Sequence, residues 1–151
     1  MTRRRVVRLS LVLVALAIPA GVAAYLKIGV QVGTKVVGLQ WKNLPVRYFI
    51  TSRDAVGVTS AQLQTAVDQS FGVWTKVPTA TLSTQFVGFT AVDPSVDSGQ
   101  TVLGFEAHPE LDRVLGSTSW ELDAVSGDPR AAHIFLNTSF NWSVAAAGET
   151  G

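Results

Sequence analysis

His108 and His133 are the only two imidazoles in the sequence, and cysteine is absent. Without a thiol there is no cysteine nucleophile, no thiolate metal site and no disulfide. A helix-borne metal centre needs two imidazoles at i and i+4, so that both reach one tetrahedral ion. His108 and His133 stand 25 positions apart and form no such pair. His133 lies between apolar neighbours in Ala131–Asn137, AAHIFLN. It reads as a strand histidine bonded to a nearby backbone group, with metal ligation as the sharper alternative. His108, in Glu106-Ala107-His108-Pro109-Glu110, stands among carboxylates. A solvated loop histidine is the plain reading there, and a loop cation site the sharper one. Asp93, Asp97, Asp112, Asp123 and Asp128 fall in loop segments, and oxygen-rich loops can hold Ca²⁺. Their spacing matches no EF-hand, so ordinary turn capping is expected. Asn137-Thr138-Ser139 and Asn141-Trp142-Ser143 are formal glycosylation sequons, meaningful only in a eukaryotic secretory pathway.

The elements that must position these residues are built around one helix. In Thr59–Trp74, TSAQLQTAVDQSFGVW, apolar residues at Leu63, Ala66, Val67, Phe71 and Trp74 make a single stripe of a 3.6-residue period. Thr59 and Gln62 make a T-x-x-Q capping box, and Val58 can staple onto Leu63. Pro78 ends the pattern by disfavouring helical geometry at Val77. Five segments read as strands. The first, Pro45–Thr51, alternates Val46, Tyr48 and Ile50 with Arg47, Phe49 and Thr51. Leu82–Thr90 follows, with Phe86 and Phe89 as core and a bulge at Gly88. Thr101–Glu106, Val114–Trp120 and Ala131–Asn137 complete the set. Lys27–Gln40 shows no clear period, and Glu121–Arg130 reads as a loop. Strand, helix, then four strands gives an α+β or α/β layer, the first two strands parallel through a βαβ connection. Two apolar sheet faces and one good helix leave much of the cover unaccounted for.

Length and charge set the outer bounds. The 151 residues allow one domain with a real core, and 47% hydrophobic against 15% charged residues is a globular composition. Mean hydropathy is +0.29, much of it from the N-terminus. Met1–Arg8 holds four arginines, Leu9–Leu26 is almost wholly apolar, and Val22-Ala23-Ala24 offers a small-residue cleavage site. That is the layout of a secretory signal over residues 1–24, with Tyr25 as the new terminus. The alternative is an uncleaved membrane anchor over residues 9–26, although Pro19 and Gly21 interrupt the run. The whole chain has 12 basic and 11 acidic residues. Removing Arg3, Arg4, Arg5 and Arg8 leaves eight basic residues against eleven acidic, a net charge of −3. No Lys/Arg stripe remains, which disfavours nucleic-acid binding. The expected product is secreted or extracytoplasmic.

Trp41 with PVRYFIT, the helix AVDQSFGVWTKV at Ala66–Val77, TVLGFE, VLGSTSW, and Ala132–Asn137 leading into Phe140-Asn141-Trp142-Ser143 share an order and spacing. In that order and spacing residues 41–151 resemble the matrixin branch of the metzincin zinc peptidases, especially its compact bacterial members. The resemblance implies a zincin-like α+β fold: a twisted five-stranded mixed sheet with one antiparallel edge strand, packed by two long helices. The second helix of such proteins carries H-E-x-x-H, continued as H-E-x-x-H-x-x-G-x-x-H, with the glutamate as general base for zinc-bound water. No such motif occurs in these 151 residues, and it would begin shortly after Gly151. The chain is therefore expected to be the N-terminal part of an exported metalloendopeptidase domain. Residues 25–40 make a short lead, too short for a prodomain. Zinc belongs only to the complete domain, and calcium has no specific motif here.

Two further implications concern single positions. Animal matrixins place His-Phe-Asp, part of a structural zinc site, where this chain has Phe135, Leu136 and Asn137, and bacterial relatives have Ala-Asp-Ile at Ala132-His133-Ile134. In metzincins the edge strand pairs with an extended protein or peptide substrate through main-chain hydrogen bonds. Here Leu115, Gly116, Ser117 and Thr118 would form that rail, against the plain alternative of a sparse edge strand. No catalytic residue is expected within the chain, and these positions supply scaffold rather than chemistry. The competing function is a non-enzymatic exported binding or adhesion domain that keeps the same sheet.

Overall fold

The computed structural model describes residues 29–145. The basic start, the apolar run Leu9–Leu26 and the Val22-Ala23-Ala24 cleavage site lie outside the described residues. Among the described residues, no helix is long and apolar enough to cross a membrane.

A hairpin comes first. Strands β1 (Gly29–Val32) and β2 (Lys35–Gly38) pair antiparallel, Val32 opposite Lys35. Gly33 turns at φ 60, and among the described residues no non-glycine residue has positive φ. A single left-handed residue at the first turn position suits the twist of the flanking strands, and glycine adopts it without a Cβ penalty. The lead segment thus holds an element that its unpatterned valines did not reveal.

The main sheet contains β3 (Val46–Thr51), β4 (Thr84–Thr90), β5 (Thr101–Glu106), β6 (Gly116–Leu122) and β7 (Pro129–Asn137), in the spatial order β4-β3-β5-β7-β6. The β3–β4, β3–β5 and β5–β7 pairs are parallel, and β6 joins β7 antiparallel as an edge strand. Among the described residues the fold is α+β with a five-stranded mixed sheet and one helix, α1 (Ser60–Trp74). Several strand boundaries move: the first strand of the main sheet begins at Val46 rather than Pro45, and the second at Thr84 rather than Leu82. Val114 donates to the Leu111 carbonyl at 3.1 Å and so belongs to a turn, which shifts the fourth strand of the main sheet to Gly116–Leu122. The fifth begins earlier, at Pro129.

Helix α1 begins as its sequence dictates. Gln62 N–H donates to Thr59 Oγ1 at 3.2 Å, and Thr59 N–H donates back to Gln62 Oε1 at 2.9 Å, closing the capping box. Val58 and Leu63 are both buried in the core cluster with Tyr48, Ile50, Leu103 and Phe105. The stripe fails at its far end: Trp74 is 61% exposed, projecting past the packed part of the helix. Tyr48 anchors the centre, its ring edge-on to Phe71 at 5.3 Å and tilted against Phe86 at 5.8 Å. Its hydroxyl donates to Asp68 on α1. Burial, helped by that carboxylate, pushes the phenol well above its ordinary pKa. The expected bulge is present, since the register passes from Tyr48↔Phe86 to Phe49↔Gly88. Of the two phenylalanines expected inside, Phe86 packs on the core while Phe89, on the outer edge strand, is 48% exposed.

Register assigns the two faces. Val46, Tyr48, Ile50, Leu103, Phe105, Ile134 and Leu136 share the face toward α1, and Phe49, Thr51, Val102, Gly104, Glu106, His133, Phe135, Asn137 and Glu121 share the other. On the α1 side Trp142 packs 6.1 Å from Phe105, its Nε1 donating to the Asn137 carbonyl at 2.8 Å. Beyond it, Gly116–Trp120 stay exposed. Loops cover the opposite face. Pro94 is fully buried, Ser95 N–H donates to Glu106 at 3.0 Å, and the His108 ring lies 4.3 Å from Phe135.

Candidate functional site

Two groups of residues around β6 could carry function, one in its main chain and one among its side chains. Asn137 N–H donates to the Leu115 carbonyl at 2.8 Å, which fixes Leu115 and Asn137 as a hydrogen-bonded pair. Antiparallel pairs alternate, so Ser117 also turns its main chain toward β7, while Gly116, Thr118 and Trp120 turn theirs to the open edge. Of the four residues expected to form a rail, Gly116 and Thr118 therefore turn their main chain to the open edge, and Ser117 turns its own to β7. Leu115 precedes the strand and is spent inward. Trp120, which was not among those four, is the third outward residue. At Gly116 a Cβ would lie 2.5 Å from the Phe135 carbonyl oxygen, so only glycine lets β6 approach β7 this closely.

The second group lies on the sheet face away from α1. His133 is buried on β7, and its Nε2 stands 2.8 Å from Glu121 Oε1 on β6. The same carboxylate oxygen accepts the Gly99 N–H at 2.9 Å. Gly99 turns at φ 69 at the end of the Asp93–Gly99 loop, which also brings in the exposed Asp97. One ligand atom from each of Asp97, Glu121 and His133 lies within 4.8 Å of the others. His133 Nδ1 is buried with no partner. Burial pushes the Glu121 carboxyl up, but the Gly99 amide, the His133 ring and the Ser98 amide outweigh it and hold the group below its ordinary pKa. The geometry corrects two readings. His133 bonds a carboxylate rather than the backbone, and Glu121 belongs to a strand rather than a loop. Glu121 was missed because 12 residues separate it from His133. Only the antiparallel pairing of β6 with β7 brings them together.

The remaining candidates do different work. His108 bonds Glu110 through Nδ1 at 2.8 Å and has Glu106 at 3.6 Å from Nε2. The Glu110 bond is the main cause raising its pKa above the ordinary imidazole value; partial burial opposes this and Glu106 adds to it. Asp93 pairs with Arg53, Asp123 with Arg130, and Asp128 with Lys42 at 3.8 Å, so these aspartates do not converge on one calcium loop. Asp123 also accepts the Val125 and Ser126 amides, the capping expected of it, and its carboxyl is held down at about 2 by those amides and Arg130. Asn137 is fully buried and its amide is engaged, so the first sequon is not available in the folded protein. Phe135, Leu136 and Asn137 hold no ligand set of their own.

No family model matches the chain, and neither the curated proteins nor the solved structures contain a match.

Proposed function

We propose that this chain supplies the sheet and first helix of an exported, matrixin-like zinc metalloendopeptidase domain, with β6 as the rail for an extended peptide substrate. The observation that carries the proposal is the antiparallel edge: Gly116, Thr118 and Trp120 aim main-chain donors and acceptors outward on a strand that, among the described residues, pairs only with β7. A peptide laid there continues the sheet through its own main chain, and its alternate side chains point to either side. The four arginines followed by the apolar Leu9–Leu26 support export.

The residues present do not fit the catalytic zinc centre of that class. There is no H-E-x-x-H, and the two histidines are engaged with separate glutamates, His108 with Glu110 and His133 with Glu121. No step of peptide hydrolysis is assigned to them, and a zinc-binding helix has to come from outside these residues. One observation favours a second reading, a non-enzymatic exported binding domain: Trp142 already fills part of the sheet face where a second helix would pack.

Adding an extended peptide should slow amide exchange at Gly116, Thr118 and Trp120, and Thr118→Pro should abolish that protection by removing an outward N–H. The pure chain should show no chelator-sensitive hydrolysis of a quenched peptide. An open reading frame reaching H-E-x-x-H beyond the Gly151 codon supports the peptidase, and a stop codon supports the binding domain. Unchanged exchange along β6 defeats the rail in both.

A further inference from the structure

We infer that Asp97, Glu121 and His133 form a binding site for one divalent transition-metal ion of the zinc class, which clips the Asp93–Gly99 loop onto strands β6 and β7. The donor set is one imidazole nitrogen and two carboxylates, with one ligand atom from each within 4.8 Å of the others. Ligands of a tetrahedral ion with bonds of about 2.0–2.2 Å stand roughly 3.3–3.5 Å apart. The 2.8 Å contact between His133 Nε2 and Glu121 Oε1 therefore has to open only slightly to admit an ion.

Two independent features point to a ligand. One is burial: the His133 side chain is 1% exposed and aims Nε2 at the Glu121 carboxylate. Charge is the other. Among the described residues, no lysine or arginine pairs with Asp97 or Glu121, whereas Asp93, Asp123 and Asp128 each have one. Two carboxylates with no Lys or Arg partner leave a charge that a divalent cation neutralises. A buried imidazole in the set argues against calcium and magnesium, which prefer all-oxygen shells, and suits zinc and its first-row neighbours. Asp97 is exposed, giving the ion a path from solvent and a remaining position for water. Ligation through Nε2 requires the ring proton to sit on Nδ1. The site is independent of the peptidase proposal, since its side chains lie on the face away from α1 and leave the outward main chain of β6 untouched.

The test uses the untagged full chain, stripped of metal and titrated with Zn²⁺ alone by calorimetry, with Co²⁺ absorption reporting coordination geometry. One equivalent should bind and raise the melting temperature. Asp97→Asn and Glu121→Gln should each weaken binding by at least about tenfold, the scale lost even when outer hydrogen-bond partners of a metal ligand are removed. His108→Ala should leave binding unchanged. Asp97 is an exposed loop residue, so its variant keeps the fold, which circular dichroism verifies. No binding up to about 1 mM Zn²⁺, parent-like affinity in either carboxylate variant, loss of binding in His108→Ala, or Ca²⁺ binding as tight as Zn²⁺ would each overturn the assignment.

Discussion

Asn137 and His108 are joined at both ends of one side-chain amide. Asn137 Oδ1 accepts the His108 backbone N–H at 3.1 Å, and Nδ2 donates to the His108 carbonyl at 2.9 Å. The same Nδ2 reaches the Leu111 and Val114 carbonyls, both at 3.1 Å, so its two hydrogens are shared among three acceptors. Oδ1 also takes the Ser139 N–H at 3.0 Å. One fully buried polar residue on β7 thus sets the course of the chain from His108 to the start of β6.

Asn137→Ala leaves the Val114 carbonyl without its donor and the His108 and Ser139 N–H groups without their acceptor, and each buried group left unmet costs about 1–3 kcal/mol. We expect a stability loss of about 2 kcal/mol or more in urea melts. Amide exchange at Leu111 and Val114 should quicken in the same variant. Stability within a few tenths of a kcal/mol of the parent would contradict the role of this amide.

Gly104→Ala tests how closely β5 and β3 approach on the face away from α1. A Cβ at Gly104 would sit 2.1 Å from Thr51 Oγ1 and 2.7 Å from Thr51 Cβ, and Thr51 is itself buried. Overpacking of this kind costs about 1–3 kcal/mol. The companion change Thr51→Ser removes the Cγ2 contact and should recover part of the loss in thermal melts.

His108 makes a pH prediction whose sign follows from its partners. Its pKa is raised in the folded protein, chiefly by Glu110. The group therefore adds stability that is fully present below the ordinary imidazole pKa and lost as pH rises through the raised folded value. Imidazole proton shifts should titrate with a midpoint above about 6.5, and Glu110→Gln should lower it. A midpoint unmoved by Glu110→Gln would show that the 2.8 Å contact does not persist in solution.

Local signals in the sequence were faithful where neighbours along the chain do the work. The Thr59/Gln62 box, the Val58–Leu63 pair, the Gly88 bulge and the alternation of Val46, Tyr48 and Ile50 all depend on residues a few positions apart. What stayed hidden depends on strand order. Val36 and Val37 carry no periodic pattern, and it is the tight turn at Gly33 that makes them a strand. Trp74 fits the helical stripe but lies beyond the packed part of α1, so period alone assigns it wrongly. The Asp97, Glu121 and His133 grouping draws on a loop and two strands, and no spacing rule along the chain reaches it. Asn137 looks like a sequon by motif and is a buried brace by topology.

The strand order also dictates a schedule. β7 lies between β5 and β6, and β6 has no other neighbour in the main sheet. As the chain leaves the ribosome, Gly116–Leu122 emerges before Pro129–Asn137, the one segment that can hold it. Nascent β6 must wait as an unpaired ribbon until β7 slots in beside β5 and closes both ladders at once. Assembly is therefore gated by the last strand, and a pause in translation between Leu122 and Pro129 would prolong the interval in which β6 is open to misassembly.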